Sequence, residues 1–394
     1  MAWEVTSEAR RRAGALSWSE PESEPEIEGP LKGYHHETYV ISLAAPDPNA
    51  ERIRWKCREP REGLFWFDRR CFESEEELVG SLRGRVTRVP ELIKAKGVRL
   101  QRFVEGETLG SRHGAGTAVP GAMVEQIMEV FRELAAIRPW TLALKRRCEP
   151  KDRPDDGDSA EFLERLIRFT EVDVYQCHHD EYGGLFEDLG VTEMAFKHLR
   201  ERVKGVHERP FCLLHADLHR ENLILDPTGE LWVIDWELAM FGDPLYDLAT
   251  HLYLMRYPER QQRRVTDLWR ETMRGAQKRA VAGIERDLPL LLDYKRAQSV
   301  FTDVIRSALT LREAGARAEA AVRQDVLLAA TARKLHSVLR RAAAPLGLGA
   351  VPSAREVAAA LDKWLPVGRP PDREPGTPPG RADAHHRVCV PSSP

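Results

Sequence analysis

The sequence is poor in the short signatures that would settle its class at once. Its six cysteines, Cys57, Cys71, Cys148, Cys177, Cys212 and Cys389, contain no C-x-x-C pair and no zinc spacing. That excludes a cysteine-ligated zinc site and leaves free thiols in a reducing compartment as the expectation. No G-x-x-x-x-G-K-[ST] occurs, which excludes a P-loop nucleotide site. No apolar run approaches the roughly 20 residues that a membrane helix needs. The net charge of −3 over 394 residues provides no field for nucleic acid or a membrane surface. Arg10-Arg11-Arg12 has no apolar stretch behind it, so a cytoplasmic protein without a secretory signal is expected.

What is present is concentrated in one stretch. The apolar run Phe211-Cys212-Leu213-Leu214 leads into His215-Ala216-Asp217-Leu218-His219-Arg220-Glu221-Asn222. Leu223-Ile224-Leu225, Asp226-Pro227-Thr228-Gly229 and Leu231-Trp232-Val233-Ile234 then read as strand, tight turn and strand, ending on Asp235. Asp217, Asn222 and Asp235 would converge at one end of that hairpin. An Asp that takes the proton of an attacking hydroxyl, an Asn five positions on that holds Mg²⁺, and a later Asp that bridges metal to nucleotide phosphates are the working parts of phosphoryl transfer. A lone His-x-Asp is more often a local hydrogen-bonded pair; the Asn spacing and the hairpin context favour the catalytic reading.

His215-Ala216-Asp217-Leu218-His219, Asn222, Ile234-Asp235-Trp236-Glu237 and Gly242-Asp243-Pro244-Leu245-Tyr246-Asp247-Leu248-Ala249 resemble the aminoglycoside phosphotransferase family of small-molecule kinases, to which choline kinases are similar. The likeness is strong over residues 211–250 and weaker over residues 30–110. It implies an α+β, bilobal protein kinase-like fold, with a small β-rich N-lobe (27–104) and a mostly helical C-lobe (105–365). It also implies ATP or GTP as co-substrate, Mg²⁺ as cofactor and a small hydroxylated acceptor. Ala216 replaces the Arg that precedes the catalytic Asp in protein kinases, and A-P-E and G-x-G-x-x-G are both missing, which disfavours a protein kinase.

The remaining parts follow in chain order. Residues 1–26 are acidic, Pro-containing and expected to be disordered. Thr38–Leu43 is rich in β-branched and aromatic residues and reads as a strand, with Gly33 alone in the preceding turn. Lys56 is the only lysine of the strand Arg52–Arg58 and is taken as the phosphate clamp. Leu78, Val79 and Leu82 make the apolar stripe of a helix over 73–82. Glu75 shares that face and is chosen to orient Lys56, with Glu76 second. By resemblance, Phe103 and Val104 lie at the hinge and offer backbone groups to adenine.

Pro120 opens a long helix ending near Pro139. His178-His179-Asp180-Glu181 reads as a solvated loop rather than a metal site, because adjacent residues diverge. His215 is expected to brace the loop, and Asp243 to cap the helix that carries Asp247. Residues 366–394 are expected to be a disordered tail. An aminoglycoside, another cationic amine or a peptide antibiotic would suit the family, and Glu237, Asp293 and Asp303 are candidates for an acidic wall. The alternatives are a metabolic choline or sugar kinase and a kinase-like binding protein without turnover.

Overall fold

The computed structural model describes residues 8–17, 27–31, 36–43, 52–61, 65–315 and 321–367. The chain divides into two compact units: Met1–Trp66 with Arg70–Ser159 and Glu208–Ile284, and Phe67–Arg69 with Ala160–His207 and Glu285–Pro394. Antiparallel sheet is gathered at the start and helices dominate the rest, so the α+β kinase-like fold implied by the sequence is the one observed.

The first unit begins with helix α1 (Glu8–Ser17), then β1 (Ile27–Leu31), β2 (His36–Leu43) and β3 (Ile53–Pro60). Helix α2 (Glu75–Leu82) precedes β4 (Leu92–Ala95) and β5 (Val98–Arg102). The strands pair antiparallel in the order β1-β2-β3-β5-β4. Strand alternation divides β3 between two faces. Trp55 and Cys57 join Tyr39, Ile41 and Leu100 in an apolar cluster, leaving Lys56 and Arg58 for the opposite face.

Ala13 of α1 is buried in the same cluster. The segment expected to be disordered therefore supplies a helix at 8–17: its small residue lets the helix approach the apolar face, and Arg12 reaches Glu59 at 2.6 Å. The rest of the expected N-terminal disorder, the Gly33 turn and the tail beyond Val367 lie outside the described residues.

α2 starts at Glu75 because the Ser74 hydroxyl accepts the Glu77 N–H at 3.2 Å, a helix cap. Glu75, Glu76 and Glu77 in its first turn suit the positive end of the helix dipole. Residue 73 is held outside it by a hydrogen bond from the Glu73 N–H to the Lys145 carbonyl at 3.2 Å.

Next come β6 (Glu107–Thr108), α3 (Leu109–Arg112), α4 (Gly121–Ala135), α5 (Ser159–Phe169), α6 (His179–Asp188) and α7 (Met194–Val203). Four short strands follow, β7 (Cys212–Leu214), β8 (Leu223–Leu225), β9 (Leu231–Val233) and β10 (Met240–Gly242). The chain then runs through α8 (Pro244–Met255), α9 (Glu259–Ala276), α10 (Ile284–Gly315), α11 (Ala321–Leu346) and α12 (Ala354–Val367). β8 and β9 form the anticipated hairpin, with β6 on its other edge, while β7 pairs with β10. The hairpin turn closes with the Gly229 N–H donating to the Asp226 carbonyl at 3.0 Å, and Gly229 takes φ +89°, which a glycine adopts without strain. Asp226 also accepts from the Thr228 and Glu230 amides and from Trp232 Nε1.

In the second unit, Tyr175, Phe186, Phe196 and Phe301 form an aromatic core, with Phe196 and Phe301 stacked at 4.8 Å. His178–Glu181 is not a loop: residues from His179 on open α6, because Tyr182, Leu185 and Phe186 bury one face at helical spacing. Asp293 bonds Arg202 and Arg296, and Asp303 bonds Lys334 at 2.8 Å, so two of the three acids of the expected acidic wall are already paired. Among the described residues, no helix is long and apolar enough to cross a membrane.

Candidate active site

The loop after β7 is fixed from below by α8. Asp243 caps that helix by accepting the Leu245 N–H at 2.9 Å, with Pro244 in the first turn. Arg209, fully buried, grips the Asp243 carboxylate through Nε at 2.7 and 2.9 Å and through Nη2 at 2.7 Å, and donates to the Ala282 carbonyl. Two opposite charges can be buried here because each neutralises the other. One turn into α8, Asp247 accepts the His215 N–H at 3.1 Å and the Ala216 N–H at 2.8 Å. Those two bonds hold Ala216 at φ +62°, a left-handed conformation that costs a non-glycine residue about 1–2 kcal/mol.

Within this frame, Asp217 is oriented by two neighbours. Asn222 Nδ2 donates to the Asp217 carbonyl at 2.9 Å and to Oδ2 at 3.0 Å. His219 Nε2 lies 3.4 Å from the same Oδ2, and its Nδ1 accepts the Glu221 N–H. Burial works against a charged His219, but its bond to Asp217 raises its pKa above the ordinary histidine value. Asp217 Oδ1 makes no hydrogen bond among the described residues.

His215 is fully buried, faces Trp236 at 4.7 Å, and bridges the Asp217 N–H to the Ile234 carbonyl. Burial pushes its pKa down to about 4, so it stays neutral and holds the loop. Arg220 anchors the other side through the Met255 and Thr117 carbonyls, both at 2.9 Å.

Asp235, at φ +63°, lies beyond the end of β9. Its carboxylate, with those of Glu75 and Glu237, offers oxygens that all lie within 4.8 Å of one another. Burial, then repulsion from Glu75 and Glu237, pushes the Asp235 pKa up to about 7. Its Oδ1 is buried with no partner. A buried carboxylate crowded by two others, with an oxygen to spare, fits a divalent cation.

Glu75 organises this corner, though not through Lys56. Arg58 Nη1 lies 2.9 Å from both Glu75 oxygens, and Glu75 Oε1 also accepts the Trp236 N–H at 3.1 Å. Burial alone would raise the Glu75 pKa; Arg58 and the Trp236 amide hold it below the usual carboxylate value. Arg58 also donates to His36 Nδ1 at 3.1 Å, and that nitrogen lies 3.7 Å from Glu237. Burial and Arg58 push the His36 pKa down to about 4, so His36 is a neutral acceptor there.

Lys56 shares the face of β3 with Arg58 but makes no ion pair among the described residues, and its Nζ lies 5.6 Å from the centre of the Phe103 ring. Burial pushes its pKa down to about 8, against the fields of Asp235 and Glu75.

The structure therefore brings Asn222 against Asp217 and gathers Asp235 with Glu75, while Arg58 takes the partnership with Glu75 that was assigned to Lys56. At the expected hinge, the Phe103 N–H is already spent on the Arg54 carbonyl at 2.9 Å, which extends the strand pairing. Val104 makes no backbone hydrogen bond among the described residues. Arg58, His36, His219 and Arg209 were not singled out from the sequence. For His219 a signal existed: it stands two positions after Asp217.

Over 142 residues the chain is 27% identical to acyl-CoA dehydrogenase family member 11 of Mus musculus, a match covering 36% of this chain and 17% of that much longer protein. A solved structure described as a candidate aminoglycoside phosphotransferase from Ralstonia eutropha aligns with a TM-score of 0.50 at 15% identity, covering 90% of this chain and 98% of its own. Choline kinase LicA from Streptococcus pneumoniae aligns with a TM-score of 0.44 at 15% identity, over 81% of this chain and 93% of its own. Residues 27–284 match the model of the phosphotransferase enzyme family, and the chain belongs to that family.

Proposed function

We propose that the protein transfers the γ-phosphoryl group of ATP or GTP to a hydroxyl of a small molecule. The observation that carries this reading is an oriented Asp217 near a cluster of three carboxylates in which Asp235 Oδ1 is buried without a partner. Asn222 and His219 both bind Oδ2, which leaves Oδ1 to receive the acceptor's proton. Asp235 and the side-chain oxygen of Asn222 would hold Mg²⁺, with Glu75 and Glu237 beside them. When bound, Mg²⁺ neutralises charge on the transferring phosphoryl group. Lys56 supplies a cation between the Val104 end of the site and the acids, and is mostly protonated at pH 7. Binding in this way positions the reacting atoms, and positioning with charge stabilisation is most of what phosphoryl transfer requires of a protein.

Asp293 and Asp303 are paired elsewhere, so the negative field that would draw a cationic acceptor, such as an aminoglycoside, other hydroxylated amine or basic peptide antibiotic, comes from the carboxylates gathered around Asp235. The test is to incubate the protein with MgATP or MgGTP and a panel of such acceptors and look by mass spectrometry for a phosphate-sized gain. A product that disappears with Asp217→Asn supports the reading. Nucleotide binding with no product across a broad panel favours a binding protein instead.

A further inference from the structure

We infer that Arg70 grips the terminal phosphate of the nucleoside triphosphate and lets the site tell a triphosphate from a diphosphate. This rests on the phosphotransferase reading above. Arg70 lies on the segment between β3 and α2, with its guanidinium 4.1 Å over the ring of Trp66. Its Nε is buried without a partner, and among the described residues its side chain makes no hydrogen bond and no ion pair. Burying part of a guanidinium without a bonding partner is costly, so the arrangement is one an incoming anion would relieve.

Arg58 and Arg147, the neighbouring guanidiniums, are committed. Arg58 is bonded to Glu75 and His36. Arg147 donates to the carbonyls of Phe72 at 3.1 Å and Glu73 at 3.4 Å. Lys56 lies towards Phe103. Among the described residues Arg70 has no such bond, and the carboxylates that act on it most are Glu237 and Glu75, the two that flank Asp235.

Its place along the site fits a phosphate end. Phe103 joins β3 at Arg54; Lys56 and Arg58 follow at steps of two, and His36 stands opposite Pro60 at the far end of the pairing. The charges that act on His36 are Arg58, Glu237, Glu75 and Arg70. A nucleotide laid from Val104 past Lys56 towards the acids thus points its last phosphate at the His36 end, where Arg70 lies. A planar guanidinium offers two parallel donors to phosphate oxygens, and stacking on Trp66 fixes its plane while leaving the edges available.

The experiment is calorimetry of the full chain with Mg²⁺ and either the β,γ-imido analogue of ATP or ADP, for wild type, Arg70→Gln and Arg70→Lys. Arg70→Gln is expected to weaken the triphosphate analogue about ten-fold and ADP by less than about two-fold, with Arg70→Lys in between, because the charge-assisted contact to the last phosphate is at stake. Thermal melts show whether each variant is folded; if Arg70→Gln is not, the selective loss is read from Arg70→Lys. Equal losses for the two nucleotides, or none, with normal wild-type binding overturn the role of Arg70 and leave the phosphotransferase reading standing. A wild type that binds neither nucleotide overturns both.

Discussion

Arg58 and Glu75 form a closed contact, with Nη1 2.9 Å from both carboxylate oxygens, and Glu75 passes that constraint to the loop after β9 through the Trp236 N–H. Residues from β3, α2 and the loop after β9 are thereby fixed together. Removing Arg58 leaves Glu75 as a buried charge without a partner. Arg58→Ala is expected to lose about 3–5 kcal/mol in denaturant unfolding. Lys56→Ala, which breaks no ion pair, should lose much less stability while weakening nucleotide binding. Equal stability losses for the two variants would contradict this division of labour.

Why Arg58 was not legible in advance has a simple cause. Lys56 and Arg58 are two apart on one strand, so they share a face, and alternation cannot say which of them meets the helix. The same limit applies to Arg209 with Asp243 and to Asp247 with His215, whose partners lie more than thirty residues away in sequence. What could be read was local: the Asp217–Asn222 spacing, the 223–233 hairpin with its Pro227 turn, and the apolar stripe of α2. Charged composition also hid α1, whose small residue Ala13 is buried in the apolar cluster.

The Arg209–Asp243 pair is buried on both sides. Arg209→Ala is expected to cost about 3–5 kcal/mol, since it strands Asp243 without its counter-charge. Because Asp243 also caps α8, the loss should be accompanied by faster amide exchange in the first turn of that helix. Unchanged exchange at Leu245 and Tyr246 would show that the cap does not depend on the ion pair.

Asp247 and Ala216 predict a pair of opposite effects. Asp247→Ala removes the acceptor for two buried amides and should cost about 2–4 kcal/mol, with loss of activity. Ala216→Gly relieves the left-handed strain and should gain about 1 kcal/mol, whereas Ala216→Val should lose about 2 kcal/mol or more. Chemical denaturation of the three variants checks the ordering; a stabilised valine variant would rule out the strain.

The pH dependence follows from Asp235, whose pKa rises from 3.8 to about 7 on folding. Between those values the folded, metal-free protein binds more protons than the unfolded chain, so its stability falls as pH rises from about 4 through 7. Asp235→Asn should remove this slope, so that the variant gains on wild type as pH increases. Mg²⁺ requires the ionised carboxylate, so its affinity should climb over the same range with release of protons. Melting temperatures and Mg²⁺ titrations at pH 5, 6, 7 and 8 test both; a slope that survives in Asp235→Asn would assign it to another group.

The most direct test of phosphoryl transfer needs no knowledge of the acceptor, because water can take its place slowly. Phosphate release from ATP or GTP would be followed with and without Mg²⁺, alongside nucleotide affinity, in wild type and Asp217→Asn. The account predicts slow, Mg²⁺-dependent release that falls by about 10²–10⁴-fold in Asp217→Asn while nucleotide affinity is kept. Release at the same rate in Asp217→Asn, or no nucleotide binding by the wild type, would contradict it.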